Sequence, residues 1–359
     1  MNTVNTGKNI FKLKGTSKMK VIMLLLMMFS FNIVFSQNYI EYNKLITKAE
    51  NHILDSNYNE ALANYKEAFE QFDFVFAKHC YTALQIVSLS KDSTETIFFL
   101  RKGIKQGLEL DLLNNAPFIS NISKNSWWNS FVNKEYDSLH AIYLSKINIR
   151  LRDQLIKLAT LDQLYTKKLN KYRFRIIPQI IAYRNWKKEI GKLVEIELLP
   201  MIEKYGFPGE KLVGINSNIS FEDTISNNYL ISQTKKGLGG PESVNAHLIL
   251  IHYISGRQNK LDFKLLENLK NGNINAIQFA SIQDFRMKYN SDVQMGYFNQ
   301  WHRNPDTTAI NQVNLNRTSI GLEDFETLRR KEKRNWAIQK EINNNNFNHI
   351  KIWSVWGSY

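Results

Sequence analysis

The stretch that decides the predicted fold is YNEALANYKEAF, residues 58–69. Ala61, Tyr65 and Ala68 recur at i, i+4 and i+7, a spacing that places the three side chains on one face of an α-helix. Two small residues on that face let a neighbouring helix approach closely, and the tyrosine fills the space between them. An Asp-Ser-Asn turn at residues 55–57 supplies N-cap residues directly before it. The pattern predicts the second helix of a helical hairpin.

Helical patterns flank this stretch on both sides. Before it, Leu45, Ala49 and Ile53 recur at helical spacing and predict the first helix of the hairpin. After it, residues 74–108 contain a second helical pair, joined by the turn Lys91-Asp92-Ser93. The N-terminal half of the chain is therefore predicted to consist of consecutive helical hairpins.

These hairpins resemble the tetratricopeptide repeat, whose second helix has the same order of small, aromatic and small residues. The resemblance covers residues 39–72 most closely, although Ala49 stands where the family has a glycine in its first helix. A second, more divergent unit covers residues 74–108. The resemblance implies a helical domain at residues 37–148 whose surface binds a protein or peptide partner.

The second half of the chain is also predicted to be helical. Leu151, Leu155 and Leu158 form an apolar stripe at helical spacing. Pro200 must kink the next helix or begin a new one, because proline cannot donate the helical hydrogen bond. The further helical patterns cover residues 183–205, 244–254, 261–271, 276–289 and 322–341.

A small β-hairpin is predicted close to residue 300. Apolar residues alternate from Asp292 onwards, and Asn304-Pro305-Asp306 turns the chain back towards Ile310 and Val313. The predicted fold class is mainly α, with tetratricopeptide-like helical hairpins followed by a helical domain that carries this hairpin. The predicted domains are a leader and signal peptide at 1–36, the tetratricopeptide-like domain at 37–148, a helical domain of unknown function at 149–342 and a C-terminal tail at 343–359.

Residues 19–37 have the features of a cleaved secretory signal. Met19-Lys20 gives a basic start, an apolar run follows to Phe35, and Ser36 provides a small residue before the cleavage point. The alternative is a membrane anchor, but a spanning helix needs roughly 20 apolar residues and this run is shorter and contains polar residues. We expect an exported protein, periplasmic or secreted after cleavage near Ser36 and Gln37, for which membrane association is compatible but not required.

The net charge of the chain is +14. Residues 1–36 contain five lysines and no acid, so their removal leaves +9. The remaining basic clusters indicate either attraction to a polyanion or anionic lipid surface, or a solvated helical face. Because an exported protein rarely meets nucleic acid, we expect no nucleic-acid partner.

The sequence lacks the patterns of common cofactor and metal sites. The single cysteine, Cys80, cannot form an intramolecular disulfide. His247 and His252 are five residues apart, whereas two metal ligands on a helix are usually four apart. Gly237-Leu238-Gly239-Gly240 is not followed by the Lys-Ser or Lys-Thr of a phosphate-binding loop. We therefore predict no metal and no cofactor.

Asp162 is the most informative polar residue of the second half. It lies on the apolar stripe at i+4 from Leu158, and a carboxylate on a buried face needs a partner. We expect that partner to be His252, at the end of an apolar helix. The aspartate would fix the imidazole tautomer and let it act as a general base, and Arg317 would contact an anionic substrate group. The alternative is that Asp162 and His252 form a structural pair in a packed core.

Short motifs in this half resemble an uncharacterised bacterial helical domain. They are Asp162-Gln163, Gly206-Phe207-Pro208, the helix ending at His252, and Arg317 before Gly321-Leu322. The resemblance covers residues 151–334, apart from a longer excursion at 216–241. This resemblance marks residues that recur in the domain but implies no reaction.

Three further residues are predicted to contact a ligand. Gln163 follows Asp162 directly, and Trp301-His302 lies beside the Asn-Pro-Asp turn, where a loop can present recognition residues. The alternative for Trp301 is that it packs the hairpin onto the helices. The leading hypothesis is an exported interaction protein that uses its helical-repeat surface. The alternative is a hydrolase-type enzyme in which Asp162 and His252 form the catalytic pair and Arg317 contacts the anion.

Overall fold

The computed structural model describes residues 37–90, 92–172, 174–215, 246–256, 264–290, 296–298, 306–344 and 347–352. Asn38–Tyr359 form one compact unit. The predicted leader and signal peptide at 1–36 lie outside the described residues. The helices within the described ranges include none that is long and apolar enough to cross a membrane.

The first part of the compact unit consists of short, paired helices. Asn38 caps the first of them by accepting the Ile40 N–H, and Asp92 caps the fourth by accepting the N–H groups of Thr94 and Glu95. The α-helices are α1 (Tyr39–Leu54), α2 (Tyr58–Gln71), α3 (Ala77–Val87), α4 (Ser93–Ile104), α5 (Leu110–Asn115), α6 (Trp128–Phe131) and α7 (Asp137–Lys146). A 3-10 helix covers Ile119–Lys124, and a π-helical turn covers Val132–Tyr136.

Helices α1 and α2 pack together, as do α3 and α4. Ala61, Tyr65 and Ala68 of α2 are fully buried in the first hydrophobic core, and so is Ala49 of α1. The helical pairing expected from the spacing of these residues is therefore present.

The second part of the unit is also built from helices. The π-helical segment Leu193–Leu198 leads into a new helix that has Pro200 in its first turn, so the helix predicted at 183–205 is interrupted there. The elements are α8 (Ile149–Asn170), α9 (Ile176–Lys192), α10 (Leu199–Tyr205), α11 (Glu210–Val213), α12 (Ala246–Ser255), α13 (Leu265–Lys270), α14 (Ala276–Asn290), α15 (Thr307–Ser319) and α16 (Phe325–Asn343). The fold is mainly α.

The predicted β-hairpin is not seen where its return strand was expected. Ile310 and Val313 lie in α15, and the part of the chain that the structure describes contains no β-strand. The reason is Asp306, whose carboxylate accepts the Ala309 N–H at 2.7 Å and so begins a helix instead of completing a turn. Of the residues predicted for the first strand, only 296–298 are described.

Three hydrophobic cores are formed by the described residues, the third of them a small cluster of Phe298, Val313, Phe325 and Leu328. The first is formed by α1 to α7, and the second is formed mainly by residues 151–282. The first two cores share elements, because Ile40 of α1 packs into the second core and the C-terminal residues Ile350 and Ile352 pack into the first. The segment around Ile350 is anchored by Gln85, which accepts the Lys351 N–H at 2.9 Å and donates to the Lys351 carbonyl at 3.1 Å.

Candidate functional site

Asp162 and His252 are in direct contact, although 90 residues separate them in sequence. Asp162 lies on α8 and His252 lies in the last turn of α12. The Nδ1 atom of His252 is 2.7 Å from Oδ1 and 2.9 Å from Oδ2 of Asp162. Gln163 also contacts this carboxylate, because its Nε2 donates to Oδ2 at 3.0 Å. We call Asp162 and His252 the dyad.

The dyad is buried at its aspartate and open at its histidine. The side chain of Asp162 is 1% exposed and that of His252 is 23% exposed. The Trp186 ring packs edge-to-face on the imidazole with centroids 6.0 Å apart, and Trp186 is held by a hydrogen bond to Thr166. An ionised carboxylate only accepts hydrogen bonds, so Nδ1 carries a proton and Nε2 of a neutral ring is an acceptor. In this arrangement Nε2 is the ring nitrogen that does not face the Asp162 carboxylate, and the His252 side chain is partly exposed.

Arg317 lies in a different set of contacts. Its Nε donates to the Glu323 carbonyl at 2.6 Å, its Nη2 to the Glu323 carboxylate at 2.9 Å, and its Nη1 to the Tyr297 carbonyl at 3.0 Å. The residue is 1% exposed. The structure thus brings Asp162, Gln163 and His252 together and holds Arg317 on other partners. Trp301 and His302, the other predicted ligand contacts, lie outside the described residues.

The Arg317 contacts belong to a buried ionic network. Lys331 of α16 bridges Glu50 of α1 at 2.5 Å and Glu323 at 3.0 Å. Burial raises the pKa of Glu323, but the charges of Lys331 and Arg317 outweigh it and bring that pKa to about 2. Burial also raises the pKa of Glu50, and the Lys331 charge only partly offsets this effect. The network joins α1 to the C-terminal helices by charge-assisted hydrogen bonds.

The structure contains a second candidate site, a cavity of about 260 Å³. The sequence patterns did not predict it. Its volume is close to the lower end of the roughly 300–1,000 Å³ that is typical of small-molecule sites. Side chains from both parts of the unit line it: Asp73, Phe74, Lys105, Gln106, Tyr143, Lys146, Ile147, Glu210 and Lys211. We call it the lysine cavity.

Gln106 lies in the wall of the lysine cavity and has a side-chain amide that can both donate and accept hydrogen bonds. It is 8% exposed, and among the described residues its side-chain amide has no hydrogen-bond partner. The polar atoms of this amide reach solvent in the cavity, so a ligand can replace water at them. The lysine cavity therefore offers both a donor and an acceptor to a bound group.

Glu210 is the buried carboxyl group of the cavity. Its Oε1 accepts the Ala77 N–H at 2.5 Å at the start of α3. Burial raises the pKa of Glu210 to about 7, against the smaller lowering effects of that hydrogen bond and of Lys78. The group therefore changes charge close to neutral pH.

Tyr143 is fixed between two glycines. Its hydroxyl accepts the Ile215 N–H at 3.1 Å, and burial raises its pKa to about 12. Gly107 and Gly214 face this ring with φ of 94° and 74°. A Cβ on Gly107 would lie 2.6 Å from Tyr143 Cζ, and one on Gly214 would overlap the hydroxyl. These two glycines are the sequence signal that could have pointed to this wall of the cavity.

The lysines give the cavity a positive rim. Lys146 is exposed and Lys105 is half-buried, and neither forms an ion pair with a residue that the structure describes. Lys211 is more constrained, because its Nζ donates to the Asn271 carbonyl at 2.9 Å and lies 5.4 Å from the Tyr39 ring centroid. Burial lowers the pKa of Lys211, and Asp73 partly offsets this.

The described ranges contain no group of three His, Cys, Asp or Glu side chains that could hold a metal ion. No protein-family model matches the chain, and comparison with curated proteins and with solved structures found no match. The resemblances to the tetratricopeptide repeat and to the bacterial helical domain stay predictions.

Proposed function

We propose that this chain is an exported binding protein whose tetratricopeptide-like hairpins hold a peptide partner by an acidic side chain. The observation that carries the proposal is the lysine cavity. It combines two lysines without ion-pair partners among the described residues and the Gln106 amide, which has no hydrogen bond to another described residue. These groups match a carboxylate, which only accepts hydrogen bonds.

The position of the cavity supports a role for the hairpins. Asp73 and Phe74 follow α2, which is the second helix of the first hairpin, and Lys105 and Gln106 follow α4, which is the second helix of the next. Equivalent ends of two consecutive hairpins thus contribute to the same wall. A repeat protein that binds a peptide in this way uses residues supplied by neighbouring units.

The charge of the cavity favours an acidic ligand. Three lysines line it, against Asp73 and the carboxyl of Glu210. Because burial raises the pKa of Glu210 to about 7, that group is largely neutral below neutral pH and can then donate a hydrogen bond. The proposed ligand group is a carboxylate between Lys105, Lys146 and Gln106.

Calorimetric titration with two blocked peptides tests the proposal. The peptides are acetyl-Ala-Glu-amide and acetyl-Ala-Gln-amide, which differ only in the charge of one side chain. We expect the glutamate peptide to bind at least about tenfold more tightly, because charge-assisted hydrogen bonds are roughly twice as strong as neutral ones. In Lys105→Gln/Lys146→Gln this preference is expected to disappear.

Lys48→Gln/Lys134→Gln is the matched control, since both lysines are exposed and neither lines the cavity. It should bind the glutamate peptide as the unchanged chain does. Equal affinity for the two peptides, or a preference that survives in Lys105→Gln/Lys146→Gln, would refute the proposal.

The dyad favours a second candidate function, a hydrolase-type reaction with His252 as general base. The supporting observation is the 2.7 Å contact to Asp162 combined with a partly exposed imidazole. Hydrolysis of p-nitrophenyl acetate by the full chain, compared with His252→Ala and Asp162→Asn, tests it. His52→Ala is the control for reaction at a histidine outside the dyad. Loss of activity with unchanged melting supports catalysis, whereas unfolding of both variants assigns the dyad a structural role.

A further inference from the structure

We propose that the connection between α8 and α9 docks this protein onto an anionic lipid bilayer. The proposal rests on an apolar cluster at that connection, formed by Phe174 and the first turns of α9. We call the cluster the hairpin tip, and it consists of Phe174, Ile176, Ile177, Ile180 and Ile181.

The hairpin tip is far more exposed than apolar residues usually are. Phe174 is 94% exposed, Ile176 is 80% and Ile177 is 72%. Together the five side chains expose on the order of 600 Å², at the upper end of the largest apolar patch on a typical monomer. The buried residues of α9, Trp186, Ile190 and Gly191, all lie in its C-terminal half, whereas its first two turns are exposed or half-buried all round.

Basic residues surround the hairpin tip. Residues 163–188 contain eight Lys and Arg and no Asp or Glu. Among the described ones, Lys167, Lys168 and Lys171 precede the tip and are exposed. Arg184 and Lys188 follow it on the same exposed stretch of α9. An exposed apolar cluster flanked by lysine and arginine combines the two attractions that hold a peripheral protein on an anionic membrane, burial of apolar area and attraction of cations to anionic lipids.

The dimensions of the tip suit this orientation. Ile177 and Arg184 are separated by seven residues, which is about 10 Å along a helix. We expect α9 to enter the interface with its N-terminus first, so that this length is the depth of the isoleucines below Arg184, of the same order as the roughly 5–10 Å reached by interfacial helices. The apolar side chains would then lie among the acyl chains while Arg184 and Lys188 lie among the phosphates.

The charge distribution also argues against a second copy of the chain as the occupant. Two hairpin tips facing each other would bring both sets of flanking cations together, and like charges at an interface are repulsive. The protruding Phe174 side chain would need a matching groove on a protein partner, whereas a fluid acyl layer accommodates it without one. The lipid proposal is independent of the lysine cavity and of the dyad.

Sedimentation with lipid vesicles tests the proposal. The probes are vesicles of equal parts phosphatidylglycerol and phosphatidylcholine, and vesicles of phosphatidylcholine alone. We expect the full chain to bind the anionic vesicles at least about tenfold more strongly, with the difference reduced by high salt. Ile177→Ser/Ile181→Ser should lower this binding by at least about tenfold, since two isoleucines lose their burial.

The matched control is Leu89→Ser/Leu315→Ser, which removes two comparably exposed apolar side chains away from the tip. It should bind vesicles as the unchanged chain does. Lys167→Gln/Lys168→Gln/Lys171→Gln should lose the preference for anionic vesicles. The proposal is overturned if the unchanged chain fails to bind anionic vesicles or if Ile177→Ser/Ile181→Ser binds equally well. It is also overturned if ultracentrifugation shows a dimer that this variant dissociates, because a second copy then covers the tip.

Discussion

The buried carboxyl of Glu210 makes the stability of this protein depend on pH in a way that one substitution removes. The residue is 7% exposed, and burial raises its pKa from 4.5 to about 7. Because the folded state holds this proton more tightly than the unfolded state, Glu210 lowers stability as pH rises through that interval. Over this interval the free energy of unfolding falls by about 3 kcal/mol, because each unit of pKa difference corresponds to roughly 1.4 kcal/mol. Glu210→Gln keeps the Oε1 acceptor for the Ala77 N–H and has no charge to bury.

The assay is urea unfolding of both proteins at about pH 5 and about pH 8. Between about pH 5 and about pH 8, the free energy of unfolding of the unchanged chain should fall by about 2 to 3 kcal/mol relative to that of Glu210→Gln. Glu203→Gln is the control, because Glu203 is exposed. A difference between Glu210→Gln and the unchanged chain that is the same at both pH values would refute the burial argument.

Three further predictions concern other parts of the structure. Lys331→Met leaves Glu50 and Glu323 buried without their shared cation and should cost about 3–5 kcal/mol in urea unfolding. This deficit should shrink as pH falls from 4.5 towards the folded-state pKa of Glu323 of about 2, and a pH-independent deficit would contradict the pairing. Gly321→Ala should cost at least about 2 kcal/mol, because φ is 80° and the new Cβ would lie 2.5 Å from the Ile40 carbonyl; an unchanged melting temperature would contradict this geometry. The affinity for acetyl-Ala-Glu-amide should fall several-fold from about pH 6 to about pH 8 as Glu210 ionises, and calorimetry on Glu210→Gln should show no such fall.

The helices of this fold are predictable because their signals are local. Ala61, Tyr65 and Ala68 share a face by spacing alone, and all three are buried. The contact between Asp162 and His252 follows from a different cue. A carboxylate on an apolar stripe needs a partner, and a histidine at the end of an apolar helix supplies one.

The features that the sequence could not give depend on tertiary packing. Asp306 is compatible with a turn or with an N-cap, and the burial of Val313 and Arg317 on α15 decides for the helix. The lysine cavity joins Gln106, Tyr143 and Glu210 from three separate segments, so no local pattern reports it.

Periodicity also cannot reveal which apolar face remains uncovered. The isoleucines of α9 at 176–181 have the composition of a core segment, yet they are exposed. Whether another helix packs on such a face is decided by the docking of distant elements. This is why the hairpin tip emerges only from the three-dimensional structure.

The most direct test of the central claim is a crystal structure of the full chain grown with acetyl-Ala-Glu-amide. The claim is that an acidic side chain occupies the lysine cavity. The glutamate carboxylate is predicted to lie within hydrogen-bond distance of Lys105 or Lys146, with the Gln106 amide as a further partner. A peptide bound elsewhere on the hairpins, or an unoccupied cavity at saturating peptide, would contradict the account.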